Sequence, residues 1–337
     1  MKSNAWSQHD FPLNEFPLVS GSSLKKGHLR YYQIGALNAP KDNLILLPTY
    51  FGGSAAGVMP WVDHSDSPLD PTKYCIVIPC MLGAGESSSP SNTPEPQAGP
   101  DFPRIDLADN IHAQSQLVAS EFHGAKLRLV AGWSMGGLQS LYWAAMYPRQ
   151  VSSAMAVCAT ARCYPHNQIF LDGVAASLRA DAAFTEGYYC SPPRKGLIAF
   201  ARVYLSWAYS QAFFRDQLYQ ALGFDTLNDL VRFWEEDHLA QDANDLLCVI
   251  DAWQQADVFA RLTPGQQLNS SLLMPSDSDL YFTHEDARAD TSALGAQFAL
   301  LESPFGHIAG GPGRLANETR TIFKAMAELL GSDSLLR

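Results

Sequence analysis

Apolar residues in this chain follow two rhythms. Short, mostly apolar runs occur at 43–48 (NLILLP), 74–79 (YCIVIP), 127–131 (LRLVA), 151–157 (VSSAMAV), 271–275 (SLLMP) and 297–302. Such runs predict strands of a parallel sheet that is covered on both faces. Between them the apolar spacing turns helical. Leu107, Ile111, Val118 and Phe122 follow the candidate N-cap Asp106 and stop before Gly124. Met135, Leu138, Leu141, Tyr142, Ala145 and Met146 form a second stripe, and 285–296 and 317–330 read as two more helices. At the start, 16–34 predicts two strands around a turn at 21–27. The order β, then repeated βα units, predicts an α/β fold with a doubly wound, mostly parallel sheet.

From 163 to 267 the strand signals vanish. Amphipathic helices take over, crowded with aromatics such as Phe200, Tyr204, Trp207, Phe233, Trp234 and Trp253. Asp225 or Thr226, and Asp242 or Asn244, are N-cap candidates there. This predicts a helical cap at 163–267 inserted into a core built from 1–162 and 268–337. Most of the aromatics would form the cap's own core, and a few would line a pocket against the sheet. Residues 83–104 are rich in Gly, Ser and Pro. They predict a long loop at the carboxyl end of a strand, where α/β proteins keep their sites.

Composition narrows the function. The 337 residues are 47% apolar and 17% charged, enough for one enlarged α/β domain or two smaller ones. The net charge of -11 argues against nucleic acid and anionic membrane as partners. Six cysteines with no C-x-x-C read as buried free thiols in a reducing compartment. The first residues lack the apolar core of a signal peptide, and no run reaches transmembrane length. A cytoplasmic protein is expected. No H-E-x-x-H, zinc-type spacing or Walker glycine loop is present, so no metal or nucleotide cofactor is implied.

The candidate chemistry lies between the strand at 127–131 and the helix that starts at Met135. Gly132-Trp133-Ser134-Met135-Gly136 is a G-x-S-x-G elbow in strand-turn-helix context. A sharp reversal there would lift the Ser134 hydroxyl over the sheet edge and demand glycine two residues to either side. It would also leave the Met135 N–H at a helix N-terminus, free to bind a developing oxyanion. A serine nucleophile needs a base, and the base needs a carboxylate. The last strand ends supply both: Asp277 and Asp279 follow 271–275, and His307 follows 297–302. His284 starts a helix and His166 enters the cap, so His307 is the better base by position. The residues alone leave Asp277 and Asp279 open.

In these motifs the chain resembles the homoserine O-acetyltransferase group of α/β-hydrolases. The marks are GWSMGG with LQSLYWAAMYP (132–148), SSPSNTPEP (88–96), FPRIDLADNIHAQ (102–114), GLIAFARVYLS (196–206), SDLYF (278–282) and FGHIAGG (305–311). The resemblance covers nearly the whole chain and implies the α/β-hydrolase fold. It places the catalytic acid on Asp279 and the base on His307. It implies oxyanion donors at Met135 and Tyr50, and a substrate-carboxylate ligand at Arg202. Trp133 and Ile308 fall beside the substrate.

Two departures stand out. Pro48-Thr49-Tyr50-Phe51-Gly52 replaces the group's His-Ala-Leu-Thr-Gly, and Ile308 replaces the aspartate that binds the homoserine amine. These departures point to the esterase-like branch. The expected activity is hydrolysis of a small, acetyl-type ester through an acyl-serine. The alternative is an O-acyltransferase with acetyl-CoA as co-substrate, and a lesser one is a ligand-binding protein on a hydrolase fold. The expected partner is a small-molecule ester, with the aromatic cap offering a face for a homodimer.

Overall fold

One eight-stranded sheet runs in the order β1-β2-β4-β3-β5-β6-β7-β8. The computed structural model describes residues 5–331. The strands are β1 (Ser7–Pro17), β2 (Ser23–Ile34), β3 (Leu44–Leu46), β4 (Cys75–Pro79), β5 (Leu127–Trp133), β6 (Ala154–Val157), β7 (Ser271–Met274) and β8 (Gln297–Phe298). β1 and β2 form an antiparallel hairpin, and β2 is antiparallel to β4. All pairings from β4 through β8 are parallel. β3, β4, β6 and β7 are buried at every position, as unbroken apolar runs require.

The edges depart from the expected pattern. β1 begins at Ser7, well before 16, because only Phe11, Leu13 and Phe16 turn inward and the run is alternating. The turn is 18–22, closed by Leu18 N–H donating to Ser22 O (2.9 Å) with Gly21 at φ 85°. Gly27, expected in that turn, pairs with Leu13 inside the hairpin. β8 is only two residues long, and pairing resumes as a single bridge between Ser276 and Leu301.

Two short helices, α1 (Ala55–Val58) and α2 (Pro60–Asp63), follow β3. α3 (Leu107–Glu121) and α4 (Met135–Met146) flank β5 in sequence. Between β6 and β7 the chain makes α5 (Pro165–Arg179), α6 (Arg194–Ala208), α7 (Gln211–Arg215), α8 (Leu227–Leu239) and α9 (Ala243–Gln254). Of the cap candidates, Thr226 holds α8 through a reciprocal pair with Asp229, and Asp242 holds α9. α10 (His284–Leu294) and α11 (Ala316–Gly331) complete the core. Among the described residues, no helix is long and apolar enough to cross a membrane.

The 83–104 loop serves a different end from the one expected. Ser87 and Ser88 accept from Arg30 N and His28 N on β2 (2.9 and 2.8 Å). Ser91 donates from both N and Oγ to Asp245 on α9 (2.9 and 2.6 Å). The loop therefore fastens the hairpin to α9 and contributes no wall to the cavity described below.

Asp106 carries one testable consequence. Its carboxylate accepts from Ala108 N (2.7 Å), Asp109 reaches back to Asp106 N (2.8 Å), and Arg261 pairs with it at 3.1 Å. Asp106→Ala loses the cap and the tie to the chain leaving α9. It should lower stability by about 1–2 kcal/mol, read as a lower urea midpoint at unchanged slope. An unmoved midpoint would refute the cap's contribution.

Candidate active site

β5 runs to Trp133 and α4 starts at Met135, so Ser134 alone makes the reversal. Its backbone sits at φ 58°, ψ -129°, a region side chains disfavour. Two backbone hydrogen bonds and close glycine contacts hold it there. Ser134 N–H donates to Val157 O at the end of β6 (2.9 Å), and Leu138 N–H donates to Ser134 O (3.1 Å). A Cβ on Gly132 would lie 2.1 Å from the Gly136 carbonyl carbon, and one on Gly136 would lie 2.6 Å from Pro48 O. Backbone meets backbone on both sides of the serine, which is why glycine is required at both positions.

The candidate acid and base come from the ends of β7 and β8. His307 lies on a tight turn, Gly306–Gly310, and its Nδ1–H donates to Asp279 Oδ2 at 2.7 Å with both side chains buried. Asp279 Oδ1 accepts from Tyr281 N and Phe282 N (2.8 and 3.1 Å), so the carboxylate cannot swing. Asp277 is exposed and accepts from Ser303 N (2.9 Å). Ser278 Oγ donates to Ser303 O and accepts from Gly306 N (3.0 Å). These bonds lace the loop of the acid to the loop of the base. The geometry thus separates the two candidate aspartates: Asp279 faces the imidazole and Asp277 shapes the turn. His166 is exposed against Trp207, and His284 lies at the start of α10 beside Glu285.

The loop after β3 approaches the elbow from the other side. Met135 N–H opens α4 and has no carbonyl a turn behind it. Among the described residues, Tyr50 N–H likewise has no acceptor. A sealed chain of amides positions this loop. Trp143 Nε1 donates to Gln114 (2.7 Å), Gln114 to Gln139 (2.7 Å), and Gln139 to Thr49 O (2.9 Å). Sequence reading did not single out this network. Glutamines on helix faces carry no local signal of a buried partner. Gly53 and Gly57 make room for the Tyr50 ring, which stands edge-on to Trp133 at 4.5 Å.

Ser134, His307, Ile308 and Trp133 all line one cavity of about 250 Å³ between the core and the helices that follow β6. The Ser134 hydroxyl has no hydrogen-bond partner among the described residues. Trp133 stacks on the His307 ring at 5.0 Å, and its Nε1 donates to His307 O at 3.1 Å. The far wall comes from α6 and α8: Tyr204, Phe233, Trp234, Asp237 and His238. Asp237, His238 and Arg314 escaped the sequence reading. Spacing of three to four residues on α8 would have put Trp234, Asp237 and His238 on one face, but nothing in the sequence marks that face as the one turned inward.

Arg202 is a correction. The resemblance placed it on a substrate carboxylate, but its Nε donates to Glu235 at 2.5 Å on the outer surface, and its side chain is 63% exposed. It lies on α6 two residues from Tyr204, and that offset turns it about half-way round the helix from the cavity. The guanidinium at the cavity mouth is that of Arg314, 5.5 Å from the centre of the Trp133 ring.

A family model described as the alpha/beta hydrolase fold matches residues 42–311. An ethyl acetate hydrolase from Pseudomonas veronii is 33% identical over 331 residues, spanning 95% of this chain and 94% of that protein. A homoserine O-acetyltransferase from Zymomonas mobilis is 30% identical over 342 residues, spanning 87% and 89%. A solved acetylester hydrolase from Corynebacterium glutamicum is similar with a TM-score of 0.88 and 27% identity, covering 97% of this chain and 96% of that one. These similarities bear out the expected fold and the resemblance to the esterase-like branch of the homoserine O-acetyltransferase group.

The position of Arg202 sets a measurement. An exposed ion pair is worth about 0–1 kcal/mol. Arg202→Ala should therefore change kcat/KM by less than about threefold, equally for neutral and carboxylate-bearing esters. A selective loss on the carboxylate esters would put Arg202 back on the substrate.

Proposed function

The chain belongs to the α/β-hydrolase family, and on that premise we propose that it hydrolyses small acetyl esters through an acyl-enzyme on Ser134. The observation that carries this reading is one cavity shared by the strained Ser134 and an imidazole whose Nδ1 side is taken by Asp279. With the proton on Nδ1, His307 Nε2 bears the lone pair a general base needs. It takes the Ser134 proton as Oγ bonds to the ester carbonyl carbon. Met135 and Tyr50 N–H groups receive the oxyanion. The intermediate collapses, the C–O bond to the alcohol breaks, and His307 returns the proton to the leaving oxygen. Water then repeats the sequence and releases acetate. Asp279 holds the tautomer and stabilises the imidazolium. The Ser134 to His307 hydrogen bond closes when substrate displaces solvent. The small cavity and the ethyl acetate and acetylester hydrolase relatives support a short acyl group.

Acyl transfer to an alcohol is the second reading, favoured by the homoserine O-acetyltransferase relative. Acetyl-CoA would then be the acyl donor. Against homoserine as acceptor stands Ile308, buried in the cavity beside His307. An ammonium group there would lose a charge-assisted bond worth about 1.5–3 kcal/mol. Asp237 does line the cavity, but its side chain is over half exposed, and water screens its attraction.

The deciding experiment supplies an acetate ester with millimolar homoserine and measures free acetate against O-acetylhomoserine. Free acetate should predominate; predominant O-acetylhomoserine overturns the hydrolase reading. Intact mass should show the acetyl group on Ser134, and Ser134→Ala should lose about three or more orders of magnitude in kcat.

The acid is tested separately. Asp279→Asn should cost about four orders of magnitude through the wrong imidazole tautomer, the size of effect known for a serine protease. Asp277→Asn, which disturbs only a turn, should cost less than about tenfold. The reverse ranking would move the role to Asp277.

A further inference from the structure

One wall of the cavity carries a buried imidazole that acyl transfer leaves unused. His238, on the last turn of α8, is 4% exposed and lines the cavity. Its Nδ1 lies 2.9 Å from Trp234 O, one turn back. A carbonyl oxygen only accepts, so Nδ1 carries the proton and Nε2 carries a lone pair. Burial pushes the ring's pKa down against the pull of Asp237, which leaves the imidazole neutral at pH 7. Trp234, Phe200 and Tyr204 pack around the ring at 5.5, 5.5 and 6.0 Å. Among the described residues no donor reaches Nε2, yet Nε2 is not one of the sealed, unpartnered atoms. Its lone pair therefore opens into the cavity that His238 lines. The charged groups nearby sit at the wet mouth. Asp237 is engaged by Gln241 Nε2 at 3.1 Å, and Arg314 lies over Trp133.

We propose that His238 Nε2 accepts a hydrogen bond from the alcohol half of the substrate. The chain would then favour acetates of hydroxyl-bearing alcohols over plain alkyl acetates. The inference rests on the acetyl-ester reading, since an acetyl group has no O–H or N–H and the donor must come from the other half. A plain alkyl chain pressed against Nε2 strips its water and offers nothing in return. A buried acceptor left unpaired is penalised more than an ordinary bond is rewarded, so such a site discriminates against the analogue that lacks the donor.

The test compares kcat/KM for 2-hydroxyethyl acetate and ethyl acetate. The wild type should prefer 2-hydroxyethyl acetate by about tenfold. His238→Asn keeps an N–H donor near Nδ1 for Trp234 O and removes the acceptor at Nε2. Its preference ratio should fall towards one. His238→Gln places an amide oxygen near the Nε2 position and should recover much of the ratio. Melting temperatures check that each variant folds. If the Asn variant does not fold, the wild-type ratio and the Gln variant still decide. A wild type that turns over ethyl acetate with no preference, or an Asn variant with the wild-type ratio, overturns the hydroxyl contact alone. No turnover of either ester removes the acetyl-ester reading and this contact with it.

Discussion

The structure depends on a close approach of backbone to backbone at the elbow. Gly136, the second residue of α4, lies so near the Pro48 carbonyl that a single methyl would force them apart. The two candidate oxyanion donors, Met135 and Tyr50, sit on opposite sides of this contact. Their separation is therefore set by main-chain geometry, which side-chain motion cannot relax. Gln139 reinforces the contact from α4 by donating to Thr49 O, and Gln114 and Trp143 satisfy the remaining polar atoms behind it. A fully paired buried network of this kind holds one arrangement and penalises every other, because any shift strands a desolvated amide.

Trp133 joins this rigid half to the acid-base half. It precedes the serine in the chain, lies flat on the imidazole, and grips the His307 carbonyl with its indole N–H. Tyr281 meets the same imidazole edge-on at 4.9 Å, and its own N–H fixes Asp279. The His307 ring is thus located by Trp133, beside Ser134, and by Tyr281, two places beyond Asp279. Four loops contribute, and each leaves the carboxyl end of a parallel strand: β3, β5, β7 and β8. The parallel order delivers all four to one edge of the sheet, which explains why chemistry collects there.

The legible parts of the chain were those whose cause is local. The unbroken apolar runs mark buried parallel strands, and G-x-S-x-G between strand and helix marks the elbow, because sterics within five residues decide it. The first strand was legible only in part, since its alternation is diluted by polar residues facing solvent. Asp277 and Asp279 could not be told apart by type or spacing. What separates them is one turn of loop: Asp279 turns under Tyr281 and Phe282, while Asp277 turns out to Ser303. Arg202 shows the limit of carrying a role by resemblance. A helix rotates by about 100° per residue, so a residue near a pocket wall in sequence can face solvent in space. The polar wall on α8 was illegible for the same reason, since nothing short of the packed structure says which face of that helix turns inward.

The core and the helices after β6 therefore divide the work unequally. On the proposed reading the core supplies the groups that would act on the ester carbonyl, whichever nucleophile then drains the acyl-serine. Acceptor choice would then come from the wall opposite Ser134 and from Ile308. Water needs no seat there, whereas an alcohol must displace water and match what it leaves behind. An exposed carboxylate such as Asp237 makes little difference to that balance, because solvent already satisfies it. A buried acceptor such as His238 Nε2, or a buried isobutyl-sized surface such as Ile308, makes much more, because no solvent remains to compensate a mismatch. On the proposed reading, the side chains that choose between hydrolysis and transfer lie on α8 and directly after His307, away from the elbow that carries Ser134.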